Sequence, residues 1–171
     1  MHGILQSKMK RCSTNKDVKL KKRVRLKEFE YRGCYRYFLT ICCNKDRLFR
    51  DKASVDLVLD ILRKCSLSHL FTVWAYCFMP NHLHLLIEGQ TDYANMKNFV
   101  SVFKQKSGYY YRRQFRKRLW QINYYEHILR KEEVTEKVMN YIFNNPVRKG
   151  IVDEWNKYPF LGSFALDVKQ P

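Results

Sequence analysis

The stretch FTVWAYCFMPNHLHLLIEG, residues 71–89, decides how this chain folds. Its first nine residues are almost all apolar, as a strand covered on both faces must be. Pro80-Asn81 breaks the run, HLHLLIE resumes it, and Gly89 ends it. Two strand-like runs around a two-residue break predict an antiparallel hairpin. Side chains alternate along a strand, so His82, His84, Leu86 and Glu88 project one way. Leu83, Leu85 and Ile87 project the other way, into a core.

The rest follows outward from this hairpin. Upstream, YRYFLTICC (residues 35–43) is aromatic and β-branched and reads as a strand. Residues 53–67 carry Val55, Val58, Leu59 and Leu62 near helical spacing. Downstream, residues 93–114 read as a helix interrupted or ended near Gly108. Residues 124–129 (YYEHIL) read as an ambiguous strand, and residues 132–145 as a helix stopped by Pro146. The order β-α-β-β-α-β-α predicts an α+β, ferredoxin-like split β-α-β fold: an antiparallel sheet with helices on one face, plus an added C-terminal helix. Residues 33–171 form one domain on this reading. Residues 1–32, with 11 Lys/Arg against 3 Asp/Glu, form a basic, partly flexible arm.

Composition narrows the function. At 171 residues and 46% hydrophobic, the chain can build one real core. Its 33 Lys and Arg against 16 Asp and Glu give +17, an excess that suits a polyanion. Aromatics make up 15% of the residues and are interleaved with the cations, as single-stranded nucleic acid requires. No apolar signal-peptide core opens the chain and the longest apolar run falls far short of a bilayer, so no membrane span is expected. Charge alone would allow a membrane-surface role, but the basic residues are not confined to one amphipathic helix, and no membrane partner is expected. The six cysteines include no C-x-x-C pair, which argues for free thiols in the cytoplasm rather than a zinc ribbon or disulfide framework. Walker A, dinucleotide-binding, H-E-x-x-H, G-x-S-x-G and zinc-deaminase signatures are all missing.

Three constellations carry possible chemistry. His82 and His84 share a strand face and can converge on one metal ion, or can be two polar residues on an exposed face. Tyr141 and Asn145 lie one helical turn apart. A tyrosine oxygen can attack phosphorus and an amide oxygen can ligate a hard cation. The alternative is a packed aromatic and a helix-capping amide. KQKSGYYYRRQFRKR (residues 104–118) holds Lys104, Lys106, Arg112, Arg113, Arg116, Lys117 and Arg118 with no acid, around Tyr109, Tyr110 and Tyr111. Cations meet phosphates and rings meet unpaired bases, unless the segment is only a solvated helix face.

These segments together resemble a known family. FMPNHLHLLIEG (residues 78–89) is similar to the histidine motif of single-tyrosine HUH transposases. YFLTICCNKDRLF (residues 37–49), LWQINYYEHILR (119–130) and YIFNNPVRKGIV (141–152) resemble the REP-associated tyrosine transposase branch of the IS200-like transposases. The resemblance covers roughly residues 35–165 and implies a prokaryotic, DNA-associated enzyme. Its partner would be single-stranded DNA, often at hairpin or palindromic ends, and its state monomeric or homodimeric. It implies His82, His84 and Asn145 as ligands of Mg²⁺ or Mn²⁺ and Tyr141 as the nucleophile, with a 5′-phosphotyrosyl link and a free 3′-OH. Asn145 stands where insertion-sequence relatives usually carry Gln. His127 lies in a family motif without an implied role and is held as a secondary site residue. Two other readings stay open: a domesticated, non-cleaving nucleic-acid-binding module on the same fold, and a nuclease that uses water with Tyr141 structural. The group that would assist Tyr141, a Lys, an Arg or the metal, is not read from the sequence.

Overall fold

The computed structural model of the chain describes residues 29–45, 47–130 and 133–167. Most of the basic arm therefore lies outside the described residues. Its last four residues belong to the folded body rather than to an arm: Tyr31 is buried, and Arg32 bridges to Asn95. Among the described residues, Phe29 already packs against Tyr31 and Tyr35, ahead of the boundary expected at residue 33.

Five antiparallel strands form one sheet in the order β4-β1-β3-β2-β5. They are β1 (Arg36–Cys42), β2 (Phe71–Met79), β3 (His82–Gly89), β4 (Tyr125–Ile128) and β5 (Leu161–Gly162). The β2–β3 hairpin turns at Pro80-Asn81, as its sequence predicts. β3 lies between β1 and β2, which are parallel to each other and joined through α1 (Lys52–Ser68), the split β-α-β arrangement. β3 and β4 are linked in the same way through α2 (Met96–Phe115). Asp51 and Asn95 cap these two helices, each side chain accepting the N–H three residues on, from Ser54 and Asn98. At the far end of β3, a Cβ on Gly89 would collide with the carbonyl of Gly33, so only glycine closes that strand.

Both faces of the sheet are covered. On one face Tyr37, Leu39, Ile41, Leu83, Leu85 and Ile87 pack against α1 and α2. On the other, Ala75, Cys77, Met79 and Leu86 pack against Met139, Ile142 and Phe143 of α3 (Thr135–Phe143). β2 changes the parity with which it feeds the two cores where its register shifts between Val73 and Ala75. Before the bulge, Phe71 and Val73 face α1 and α2. After it, Ala75, Cys77 and Met79 face α3. One extra residue, Trp74, reverses the phase of a strand whose side chains otherwise alternate strictly.

Two helix boundaries differ from expectation. α2 runs unbroken through Gly108, whose missing Cβ would meet only Trp120 at an ordinary 3.8 Å. Pro146 does not stop the helical path. Asn144 ends α3 and also caps α4 (Asn145–Arg148), in whose first turn proline fits because its missing N–H has no helical partner there.

Candidate active site

β3 and α3 bring the histidines and the tyrosine together on the face opposite α1 and α2. His84 pairs across β1 with Thr40, and His82 with Cys42. Next along β1 on the same face is Phe38, whose ring stacks on His84 at 5.5 Å between centroids. Tyr141 stands edge-on to Phe38 at 6.0 Å and to His84 at 6.5 Å. It keeps 37% of its surface exposed, so solvent and a ligand can reach it.

The imidazoles belong to a single hydrogen-bond chain. His82 Nδ1 lies 2.7 Å from Asn81 Oδ1, an atom that only accepts, so Nδ1 carries the His82 proton. His82 Nε2 therefore presents a lone pair, 3.0 Å from His84 Nε2. His84 Nδ1 lies 3.0 Å from the Thr40 hydroxyl. Thr40 O–H donating to His84 Nδ1, and His84 Nε2–H donating to His82 Nε2, satisfies every member of the chain. Reversing the hydroxyl moves the His84 proton to Nδ1 and turns both Nε2 lone pairs toward the same point.

That second arrangement fits a cation. Two donors about 2.1 Å from an octahedral ion, at right angles, are themselves about 3.0 Å apart, and the two Nε2 atoms are separated by 3.0 Å. Metal-binding imidazoles must also be neutral. Burial, and then Lys149, push His82 down to about 4. Burial, then His82, Arg148 and Lys149, hold His84 well below its usual range. Among the described residues no three His, Cys, Asp or Glu are grouped so as to hold a metal ion, so a third protein ligand to a cation here would be an amide, hydroxyl or carbonyl oxygen. Asn145 is buried, and its Nδ2 donates to the Tyr141 carbonyl at 2.8 Å. That bond fixes the amide and leaves Oδ1 with no partner among the described residues.

Sequence reasoning missed several residues here. Thr40 and Asn81 hold the imidazoles. The Arg148 guanidinium lies 4.7 Å from the centroid of the Tyr141 ring. Both Arg148 and Lys149 are exposed, and neither has a carboxylate partner among the described residues. They follow Asn145 at helical spacing, a signal hidden when Pro146 is read as a stop.

His127 is not in the imidazole pair. It sits on β4 opposite Phe38, and its Nε2 lies 2.9 and 3.0 Å from the two carboxylate oxygens of Glu133. The Arg130 N–H donates to that carboxylate at 2.7 Å. Burial raises the Glu133 carboxyl, but the Arg130 N–H and His127 outweigh it and hold it below its usual range. The contacts tie the start of α3 to β4.

The basic segment divides. Tyr111 is 2% exposed and its hydroxyl donates to the Leu48 carbonyl, so it is a core residue and not a stacking platform. The Lys104 ammonium donates to the carbonyls of Gln121 and Ile122, tying down a loop. Tyr109, Tyr110, Lys106, Arg112, Arg113, Arg116, Lys117 and Arg118 are exposed. α2 is on the far face of the sheet, but its C-terminal end comes round to the histidine end. The Gln121 N–H that follows it donates to Cys42, the residue paired with His82.

Comparison with known proteins identifies the family. Residues 30–145 match the family model described as transposase IS200 like. An uncharacterized protein of Haemophilus influenzae is 30% identical, over 78% of this chain and 92% of its own length. A REP-associated tyrosine transposase of Escherichia coli is 28% identical over 57% of each chain. The solved structure of a REP-associated tyrosine transposase bound to a REP hairpin superposes with a TM-score of 0.66 at 20% identity, over 77% of this chain and 78% of that one, and shares the fold. The fold is thus shared with a DNA transposase of known structure, the chain is similar in sequence to REP-associated tyrosine transposases, and it belongs to the IS200-like transposase family.

Proposed function

We propose that this protein cleaves and rejoins single-stranded DNA beside hairpin elements, with Tyr141 as the nucleophile of an HUH-type site. The observation that carries the proposal is the pair of buried imidazoles whose Nε2 atoms lie 3.0 Å apart, with the ring of the partly exposed Tyr141 6.5 Å from that of His84. The Tyr141 oxygen attacks phosphorus in line. The bond from phosphorus to the 3′ oxygen breaks, and the DNA 5′ end stays on the tyrosine as a phosphodiester. The phenol gives up its proton and the leaving 3′ oxygen gains one. Because the bond energy is kept in the covalent link, a 3′-OH reverses the step and rejoins strands without ATP. Arg148 and Lys149 supply positive charge where a phosphate meets the tyrosine. Mg²⁺ or Mn²⁺ held by His82, His84 and the Asn145 amide oxygen would polarise the scissile phosphate.

A second reading, a non-cleaving DNA-binding module, is favoured by one observation: the chain Thr40–His84–His82–Asn81 is complete without an ion. One experiment separates the two. The protein is incubated with hairpin-bearing single strands and Mn²⁺, and the products are resolved under denaturing conditions. The proposal requires a DNA–protein adduct that chelator prevents and Tyr141→Phe abolishes, with DNA binding retained. Binding without an adduct across a library of hairpin strands selects the second reading.

A further inference from the structure

Beside the tyrosine, on its own helix, is a cavity of about 410 Å³ that the reaction does not use. It is bounded by Arg36 of β1, Trp74 of β2, Thr135, Glu136 and Asn140 of α3, and Leu166 beyond β5. The geometry points to a binding site for one unpaired base of the DNA strand, next to the phosphate presented to Tyr141. This inference rests on the proposed DNA substrate.

Its place is the first argument. Asn140 precedes the tyrosine in sequence. Arg36 is two residues along β1 from Phe38, against which Tyr141 stands, a distance of about 7 Å at strand rise. Nucleotides flanking a phosphate held at Tyr141 fall within that reach.

Construction is the second. Trp74 is the bulged residue of β2 and is only partly covered. A bulge re-aims a side chain, and here the re-aimed one is a large aromatic plane. Its indole N–H donates to Glu88 at 2.7 Å. Glu88 also takes the Arg36 Nε at 3.1 Å, and Arg36 Nη1 donates to the Thr135 hydroxyl at 2.6 Å. The segment after β5 closes the far wall, pinned to the bulge where the Phe164 N–H donates to the Val73 carbonyl at 3.0 Å. A fixed aromatic in a cavity of this size suits a flat heterocycle, and stacking on it needs no particular base.

Charge is the third, and it separates a base from a phosphate. The Arg36 cation is already matched by Glu88, and Glu136 adds a carboxylate to the lining. A phosphate is repelled there and drawn instead to Arg148 and Lys149. Base edges present both donors and acceptors. They can use the remaining Arg36 N–H groups, the Glu136 carboxylate and the Asn140 amide, and neither of the last two has a side-chain partner among the described residues.

The test reads binding in chelator, so that it does not depend on cleavage. A fluorescent hairpin DNA with a single-stranded extension is made abasic at one extension position at a time and titrated with the full chain. Wild type is expected to lose roughly 5- to 100-fold in affinity at one position, the range of a single base–aromatic stack. Trp74→Ala should bind the intact strand that much more weakly and become indifferent to the abasic site at that position. Trp74→Phe, which keeps a ring, should recover most of the loss. Should Trp74→Ala fail to fold, the exposed Asn140→Ala must weaken binding several-fold on the intact strand and less on the abasic one. A flat wild-type profile, or a profile that these variants leave unchanged, overturns the inference. If an adduct forms at Tyr141 while the profile is flat, the base site fails and the proposed reaction stands. A Trp74-dependent position with no adduct has the opposite meaning.

Discussion

Thr40 is the residue through which the histidine pair is most directly probed. Its hydroxyl lies 3.0 Å from His84 Nδ1 and is needed in either proton arrangement. It donates when His84 bonds to His82 and accepts when both Nε2 atoms face a cation. Thr40→Val keeps the shape and removes that partner. His84 is buried, so a ring nitrogen is left unsatisfied in both states. Leaving such a group buried costs about 1–3 kcal/mol, or a fall in Tm of roughly 2–10 °C for a chain of this size. Loss of a partner that orients a metal-bound imidazole costs about 10- to 100-fold in affinity. Isothermal titration with Mn²⁺, with thermal melts in chelator, measures both. Thr40→Ser keeps the hydroxyl and should recover most of each loss. Histidine ¹⁵N shifts should show the His84 proton moving from Nε2 to Nδ1 on titration with a diamagnetic ion such as Mg²⁺. Wild-type Mn²⁺ affinity in Thr40→Val, or no recovery in Thr40→Ser, refutes the assignment of the pair as a cation site oriented by Thr40.

Acid should destabilise the metal-free protein through His82. Its folded pKa of about 4 lies below the usual 6.5, so the unfolded chain takes up a proton that the folded one refuses. The stability is complete above pH 6.5 and is lost as pH falls toward 4, about 2 kcal/mol of it between pH 7 and 5 from this residue. Denaturant melts across that range should show it, and His82→Gln should flatten the slope. His127→Ala breaks a pair exposed on both sides, so Tm should move by less than about 3 °C. Adduct formation should slow several-fold as the start of α3 loosens, and a loss of a thousandfold or more would place His127 in the chemistry itself. Deleting residues 1–28 removes ten Lys or Arg. It should flatten the salt dependence of DNA affinity by about 0.7 log units per lost phosphate contact, without moving the cleavage site. A truncated protein that keeps its salt slope but cuts elsewhere would show that those residues read bases.

What could be read without coordinates was local and periodic. HLHL alternates at the start of β3, so the shared face of His82 and His84 was legible from period two alone. Tyr141 and Asn145 were legible as one stripe because helical spacing survives a misplaced helix end. FTVWAYCFM is apolar at nearly every position and therefore carries no phase. Nothing in it marks Trp74 as the residue at which the strand reverses its faces. YYY at 109–111 poses the same problem in a helix. Three identical residues do not declare which turns inward, although Phe99, Phe103, Ser107 and Tyr111 recur every four residues and all four are buried.

Thr40 shows the deeper limit. Threonine is ordinary in a strand and gives no signal of its own there. It matters because antiparallel register puts it opposite His84, and register is set by β1 and β3 pairing across 44 residues of chain. Arg148 and Lys149 depend in the same way on Pro146 opening a helix rather than closing one. The proposed nucleophile and the histidines announce themselves by spacing. The groups that set their protonation, supply charge at the phosphate and enclose a neighbouring base become visible only when the sheet order brings β1, β2, β3 and α3 to one face. Replacing Thr40, Arg148 or Trp74 should therefore leave His82, His84, Tyr141 and Asn145 in place and still impair, respectively, metal affinity, adduct formation and base-dependent binding.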